Sequence, residues 1–447
     1  MTRFRPGSPI WRPPRTAPDL TSPGPVPPFQ VRPKPPGAMM FDWLTPAPAD
    51  EVRKRLTRLA RADGARGRIL ASERLARPTQ QLERTLEIKG LGQLPAFRVR
   101  FEQGGNPTKG GVRFAPDASL AEAERLSLLM TLKCALAGLP FGGAKGAVRV
   151  EARQLDQDQR EEIARAYAHA FADVIGPETD VPAPDIATGP FEMDVIRRTL
   201  NADKGRSRAP VTGLPPETGG LALREGATGL GGWRVYQRLC ESGHCKAHPR
   251  IAVQGFGSAG SAFARAANQA GAVIVAVSDS RSMAANRGGL DIDAVTERKR
   301  ETGKVGEDGD PGAIVETDCD VLVLAASGDV IDAAAARKLR AERLIELANA
   351  PVTRKGYEAL DARGIESVPD ILANAGGVAA SYFEWRAFGE PDAPDESALK
   401  AQWKQVMDKA ADAVSALASR TGQPVHAAAL LFALDQLDPD TRQLAVS

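Results

Sequence analysis

Four charged residues stand at intervals that suit chemistry on a small anion: Lys109, Lys133, Lys145 and Asp185, separated by steps of 24, 12 and 40 residues. They lie in KGGVRF (109–114), MTLKCAL (130–136), FGGAKGA (141–147) and PAPDIATG (182–189). A lysine head beside apolar or glycine-rich walls either holds an anion or carries a lowered pKa that lets it exchange a proton. Two X-Pro steps hold the backbone extended up to Asp185, which suits a positioned carboxylate. Each residue alone has a plainer reading. Lys133 could be a solvated lysine favoured by a helix C-terminus, and Asp185 an N-cap or turn residue.

The elements around them can be read from pattern. SLAEAERLSLLMTLKCALAG is expected to be a helix, with a capping box from Ser119 to Glu122 and a stop at Gly138. Leu126, Leu129, Met130, Leu132 and Leu136 form its apolar face, and Lys133 falls among them near the end. Lys109 and Lys145 are expected in or beside glycine turns. A second helix is expected over 156–175. Upstream, EVRKRLTRLARADG spaces Val52, Leu56 and Leu59 as a helix that stops at Gly64, and LERTLEI and FRVRF alternate as strands.

RIAVQGFGSAGSAFARAANQAGAVIVAVSDS (250–280) runs apolar strand, glycine turn, helix, glycine, apolar strand, acid. Gly255, Gly257 and Gly260 form GxGxxG, with Ser258 inside the turn. Such glycines let the backbone approach a pyrophosphate at a helix N-terminus. Asp279, 24 residues after Gly255, can bond a ribose hydroxyl. A lone GxGxxG is weak evidence; inside a strand–helix–strand unit it implies dinucleotide binding. DVLVLAA, LIELANA and VPDI continue the α/β rhythm. The terminal helical segments SYFEWRAF and ALKAQWKQVMDKAADAVSALASR are expected to pack back on the first domain or bridge both.

Composition bounds the class. A chain of 447 residues, 43% hydrophobic, can bury two domains, and a net charge of +2 gives no field for nucleic acid or an acidic membrane. No apolar run reaches the roughly 20 residues of a membrane span. Cys134, Cys240, Cys245 and Cys319 are scattered, as in a reduced cytoplasmic protein. CESGHCKAH (240–248) matches no common zinc spacing and reads as an exposed loop, so no metal site is expected. The first forty residues hold twelve prolines and six Lys/Arg against one acid, Asp19, and read as a disordered tail.

Together the motifs KGGVRF, LKCAL, GGAKGA, PAPDIATG, GATGLGG, QGFGSAG, VPDILANAGG and SYFEW, in this order over roughly 50–440, resemble the glutamate dehydrogenase branch of the Glu/Leu/Phe/Val dehydrogenase superfamily. The resemblance implies an α/β protein of two domains. One is a substrate domain with a mixed sheet (41–212), and the other a Rossmann-like doubly wound dinucleotide domain (213–370). C-terminal helices (371–447) return to the first. It implies reversible oxidative deamination of L-glutamate with NAD, NADP not being excluded because Arg281 could neutralise a 2′-phosphate. Lys145 matches the catalytic lysine, Asp185 the acid/base, Lys133 the α-carboxylate site, and Lys109 with Ser381 the site for the far carboxylate. Thr228, Asn349 and Asn374 match residues at the nicotinamide. A homo-hexamer is implied by the same resemblance.

There are departures from the family pattern: Ala147 and Ala187 for glycines, Leu223 in GGLALRE, Ser258 and Ala259 in QGFGSAG, Leu347 in ELAN. Each added side chain is expected to narrow or stiffen a loop near a ligand. They leave room for a Leu/Phe/Val-type dehydrogenase or a weakly active, regulatory paralogue.

Overall fold

Glycines set the spacing of the first sheet. A Cβ on Gly143 would lie 2.2 Å from Ser127 O and 2.3 Å from Thr131 N, so the helix Leu120–Leu136 rests directly on the strand. A Cβ on Gly110 would lie 1.6 Å from Ala144 O, which ties the two glycine-rich segments together. The computed structural model describes residues 49–204, 209–241, 246, 248–307, 309–326, 330–388, 390 and 394–438. The Pro-rich tail therefore lies outside the described residues, as do 242–245 and 247 of CESGHCKAH.

The first unit holds strands β1 (Gln80–Ile88), β2 (Gly92–Phe101), β3 (Thr108–Ala115), β4 (Gly142–Arg149) and β5 (Asp180–Pro184) in the order β1-β2-β4-β3-β5. The sheet is mixed: β1, β2 and β4 pair antiparallel, while β3 runs parallel to β4 and β5. Both glycine-flanked lysines sit in strands, Lys109 in β3 and Lys145 in β4, and not in turns. Register explains their convergence. Lys109 pairs with Gly143 on one side and Val181 on the other. Alternate residues of a strand share a face, so Lys145, Asp185 and Lys109 lie on the same side of the sheet.

The second sheet contains β6 (Arg250–Gln254), β7 (Val273–Ser278), β8 (Met283–Ala285), β9 (Val321–Leu324), β10 (Arg343–Glu346) and β11 (Glu366–Val368). Its order, β11-β10-β9-β6-β7-β8, is the doubly wound dinucleotide arrangement, with β8 reversed against β7. The strand order changes direction between β6 and β9, and the ligand crevice of such sheets lies there.

Helix boundaries follow local chemistry. Ala49–Asp63 stops at Gly64 (φ +79°), and Leu56 and Leu59 are buried as expected, while the side chain of Val52 lies outside the described set. Ser119 caps Leu120–Leu136 by accepting from Glu122 N–H, but the reciprocal half of the expected capping box is absent because Glu122 Oε1 is taken by Arg113. Gly138 (φ +65°) closes that helix with the 6→1 and 5→2 bonds of a Schellman motif, Leu139 N–H to Cys134 O and Gly138 N–H to Ala135 O. The helix expected over 156–175 spans only Gln157–Ala170; it starts with a full capping box, Asp156 with Gln159, and gives way to turns from Phe171.

The C-terminal helices tie both units together. Val425–Leu437 packs on Leu120–Leu136 and on Arg66–Arg74, where Arg68 forms a bidentate pair with Asp435 at 2.8 Å. Glu396–Thr421 lies on Ala227–Glu241 through Arg234–Asp408 and Arg238–Asp412. Trp385, on Gly376–Ala387, reaches Pro177 O of the first unit at 2.8 Å. No described helix is long and apolar enough to cross a membrane. Cys134 and Cys319 are buried thiols, whereas Cys240, in the last turn of Ala227–Glu241, is disulfide-bonded. The expectation of scattered reduced thiols therefore does not hold at Cys240.

Candidate active site

A cavity of about 270 Å³ lies between the two units and collects eight of the residues named from sequence: Lys109, Lys133, Lys145, Asp185, Thr228, Asn349, Asn374 and Ser381. Four cations, Arg224 being the fourth, and one carboxylate line it. A larger apolar hollow of about 430 Å³ beside Gly219 and Phe388 is far poorer in charge; among the described residues its one ionisable lining residue is Glu396. The smaller cavity is the candidate site because its groups are titratable and convergent.

Lys145 Nζ and Asp185 Oδ2 form an ion pair at 2.7 Å, and Arg113 Nε donates to the same oxygen at 2.7 Å. Gly111 makes the approach possible, since a Cβ there would lie 2.7 Å from Asp185 Cβ. The Asp185 N–H is held by Thr188 Oγ1 at 2.8 Å, and Thr188 in turn donates to Val112 O at 2.7 Å. Burial alone would raise the Asp185 carboxyl, but Lys145 and Arg113 outweigh it and hold it well below the usual carboxylate range. Burial lowers Lys145 to about 8, Asp185 acting against that shift and Arg113 with it.

Lys133 is not a solvated helix-end lysine. It is 6% exposed, and its Nζ donates to Asn349 Oδ1 at 3.2 Å. Burial lowers its pKa, with Asp370 pulling it back up. Lys109, 1% exposed, donates to Thr212 Oγ1 at 2.6 Å; burial and then Arg224 lower it to about 7, opposed by Glu384. Ser381 lines the same cavity from Gly376–Ala387. Sequence reading missed Arg113, Thr212, Arg224 and Glu384. Arg113 and Arg224 do lie in the quoted motifs KGGVRF and GGLALRE. Glu384 Oε1 accepts from Gly213 N–H at 2.7 Å and Leu214 N–H at 3.0 Å, which ties SYFEW to the loop before the second unit.

Gly255, Gly257, Ser258, Gly260 and Asp279 lie apart from that cavity, at the turn after β6 and the end of β7. A Cβ on Gly260 would lie 1.9 Å from Gly255 O, and one on Gly255 (φ +91°) 2.5 Å from Ala326 N, so both glycines are packing requirements. A Cβ on Gly257 would meet nothing within 4 Å. That open approach, at the start of Ser258–Gln269 where no side chain caps the N–H groups, fits a dinucleotide pyrophosphate. Asn374 Oδ1 is buried without a hydrogen-bond partner among the described residues, which leaves an acceptor for a carboxamide.

Asp279 is more occupied than a free ribose acceptor would be. Its Oδ1 accepts from Arg281 N–H and Ser282 N–H at 2.9 Å each, and Lys299 Nζ lies 3.5 Å from Oδ2. Lys299 is thus the cation beside Asp279; the Arg281 side chain is exposed.

The departures from the family pattern fall differently from expectation. Ala147 and Leu223 are core residues, 2% and 6% exposed, and neither lines the cavity. Leu347 does line it. Ala187 takes a left-handed φ of +56°, the backbone of a glycine held by an alanine.

The comparisons agree with this geometry. Residues 78–202 match the family model described as Glu/Leu/Phe/Val dehydrogenase, dimerisation domain, and residues 219–443 match Glutamate/Leucine/Phenylalanine/Valine dehydrogenase. The chain is 37% identical to an NADP-specific glutamate dehydrogenase of Synechocystis, over 70% of this chain and 78% of that protein. It is 36% identical to NAD-specific glutamate dehydrogenase A of Halobacterium salinarum, over 75% of this chain and 82% of that one. The hetero-hexameric glutamate dehydrogenase of Thermus thermophilus, in a Leu-bound form, superposes with a TM-score of 0.81 at 30% identity, covering 88% of this chain and 95% of that chain. With two family models spanning both units and relatives of this similarity, the chain belongs to the Glu/Leu/Phe/Val dehydrogenase family.

Proposed function

We propose that the protein interconverts L-glutamate and 2-oxoglutarate plus ammonia with an NAD(P) cofactor. The observation that carries this reading is the set of four cations against one carboxylate around a single cavity, a charge balance that suits a dicarboxylate. Lys133 takes the α-carboxylate. Lys109, with Ser381 and Arg224, takes the far carboxylate, which an apolar side chain would leave unanswered at a desolvation cost. The names of the similar proteins support glutamate and leave the choice between NAD and NADP open.

Bound nicotinamide dinucleotide supplies the acceptor for the hydride leaving Cα. Gly257, Asp279, Thr228, Asn349 and Asn374 are the residues that hold it. Asp185 takes a proton from the substrate ammonium at Oδ1, because Oδ2 is already held by Lys145 and Arg113. After hydride loss, Lys145 in its neutral form removes a proton from water as its oxygen adds to the iminium carbon. The carbinolamine then collapses: Asp185 returns its proton to the nitrogen, the C–N bond breaks, and the hydroxyl proton passes to the departing ammonia as the carbonyl forms, while Lys145 gives its proton back to solvent. Closure of the units over the cavity would exclude bulk water and retain the one water that Lys145 activates.

The boundaries 41–212, 213–370 and 371–447 belong to the same proposal, supported by one sheet in each of the first two segments and by the return of Val425–Leu437 onto the first. So do a cytoplasmic location and a homo-hexamer; the Thermus thermophilus assembly is described as hetero-hexameric, which supports six subunits and not their identity. The test is purified protein with NAD or NADP and a panel of L-amino acids, following reduced cofactor by absorbance. Turnover best with glutamate is expected. Turnover best with leucine or phenylalanine overturns the substrate, and none with any amino acid overturns the enzyme.

A further inference from the structure

We propose that Asp370 is a positioning residue for substrate binding: through a buried turn it fixes Lys133 where that lysine meets the substrate α-carboxylate. This rests on the reading of Lys133 given above.

Asp370 follows β11 and Pro369, and is 0% exposed. Its Oδ2 accepts the Ala350 N–H at 3.0 Å. Ala350 sits at φ +45°, a left-handed conformation that alanine adopts only when something holds it. The residue before it, Asn349, presents Oδ1 to Lys133 Nζ and to Asn374 Nδ2, both at 3.2 Å. A continuous relay therefore runs Asp370, Ala350, Asn349, Lys133, from beneath the second sheet to the cavity wall.

Charge points the same way. Asp370 Oδ1 is buried with no hydrogen-bond partner among the described residues, so a charge there is answered through space. Asp370 opposes the burial of Lys133 more strongly than any other group, ahead of Cys134 and Asp185. Arg125 also acts on Asp370. The neighbouring carboxyl, Glu346, accepts Tyr357 and Ser367 hydroxyls at Oε1, and burial with Asp370 pushes it up to about 8. Burial raises Asp370 as well, and Lys133 is the charge that most strongly holds it down. Asp370 and Lys133 are thus each other's strongest counter-charge against burial.

Asp370→Asn keeps an oxygen for Ala350 N–H and removes the charge. We expect KM for L-glutamate and Kd for 2-oxoglutarate to rise about tenfold, ~1.4 kcal/mol, with kcat and KM for the cofactor within about twofold. Asp370→Glu, which keeps the charge, is expected to recover part of the loss. Unchanged KM for glutamate, or a cofactor KM that rises in step with it, overturns the proposal. If Asp370→Asn does not fold, Lys133→Met serves: its loss of Tm relative to wild type should shrink as pH falls and Asp370 protonates, and a pH-independent difference overturns the proposal. A wild-type enzyme that prefers another amino acid leaves Asp370 testable on that substrate, since its α-carboxylate is the same. A wild type that neither turns over an amino acid nor binds 2-oxoglutarate overturns the functional reading itself.

Discussion

Lys145 and Asp185 meet at one carboxylate oxygen, which Arg113 shares: Nζ and Nε each lie 2.7 Å from Oδ2, and Oδ1 has no hydrogen-bond partner among the described residues. Two cations on one oxygen fix the carboxylate plane and leave the second oxygen for substrate. The same pairing lowers Asp185 and moderates the fall of Lys145, so the two exchange protons from opposite sides of neutrality.

Arg113 lowers both members of the pair, Asp185 and Lys145. In Arg113→Gln both should titrate higher. The acid limb of kcat/KM, set by the need for a neutral Lys145, should move up in pH, with KM for the cofactor unchanged. An acid limb that stays in place would show that Arg113 does not tune the pair.

The position of that limb in the wild type follows Lys145. Neutral amine is needed to take a proton from water, so kcat/KM for glutamate should rise as pH increases through about 8, the value to which burial lowers this lysine. A rate flat from pH 6 to 9 would separate the rate-limiting step from Lys145.

Stability carries a related signature. Burial lowers Lys109 in the folded state to about 7 from the 10.5 of an exposed lysine. The unfolded chain therefore binds more protons between those values, and stability contributed at this site rises with pH across that window. Lys109→Met should flatten the slope of stability against pH there by at most ~1.4 kcal/mol per unit. It should also weaken glutamate relative to apolar amino acids. Denaturant unfolding at several pH values measures the first, and the substrate panel the second.

Ala187 offers a gain. Replacing it with glycine removes left-handed strain of about 1–2 kcal/mol, less the extra chain entropy of glycine, about 0.5–1 kcal/mol. A small rise in Tm is expected for Ala187→Gly; a fall would mean that the Arg160 bond to Ala187 O depends on the alanine backbone.

Much of the site was legible because its charged residues lie in short motifs whose glycines announce close packing. The nucleotide unit was legible because strand, glycine turn and helix are contiguous. What the sequence hid were relations across long separations. Lys109 and Lys145 were expected near turns because KGG and GGAKGA read as loops, yet those glycines admit a helix and neighbouring strands onto the sheet. Lys133 looked solvated because nothing local reveals that Asn349, 216 residues on, covers it. Ala147 and Leu223 were taken for ligand-loop residues, since a motif position does not say which face points inward.

The most direct measurement is turnover of L-glutamate by Lys145→Ala and Asp185→Asn beside wild type, with cofactor binding measured on the same samples. Loss of kcat by about 10²–10⁴-fold in each, with cofactor affinity intact, is the expected result. Lys145→Ala turning over glutamate at the wild-type rate would contradict the assignment of chemistry to this pair.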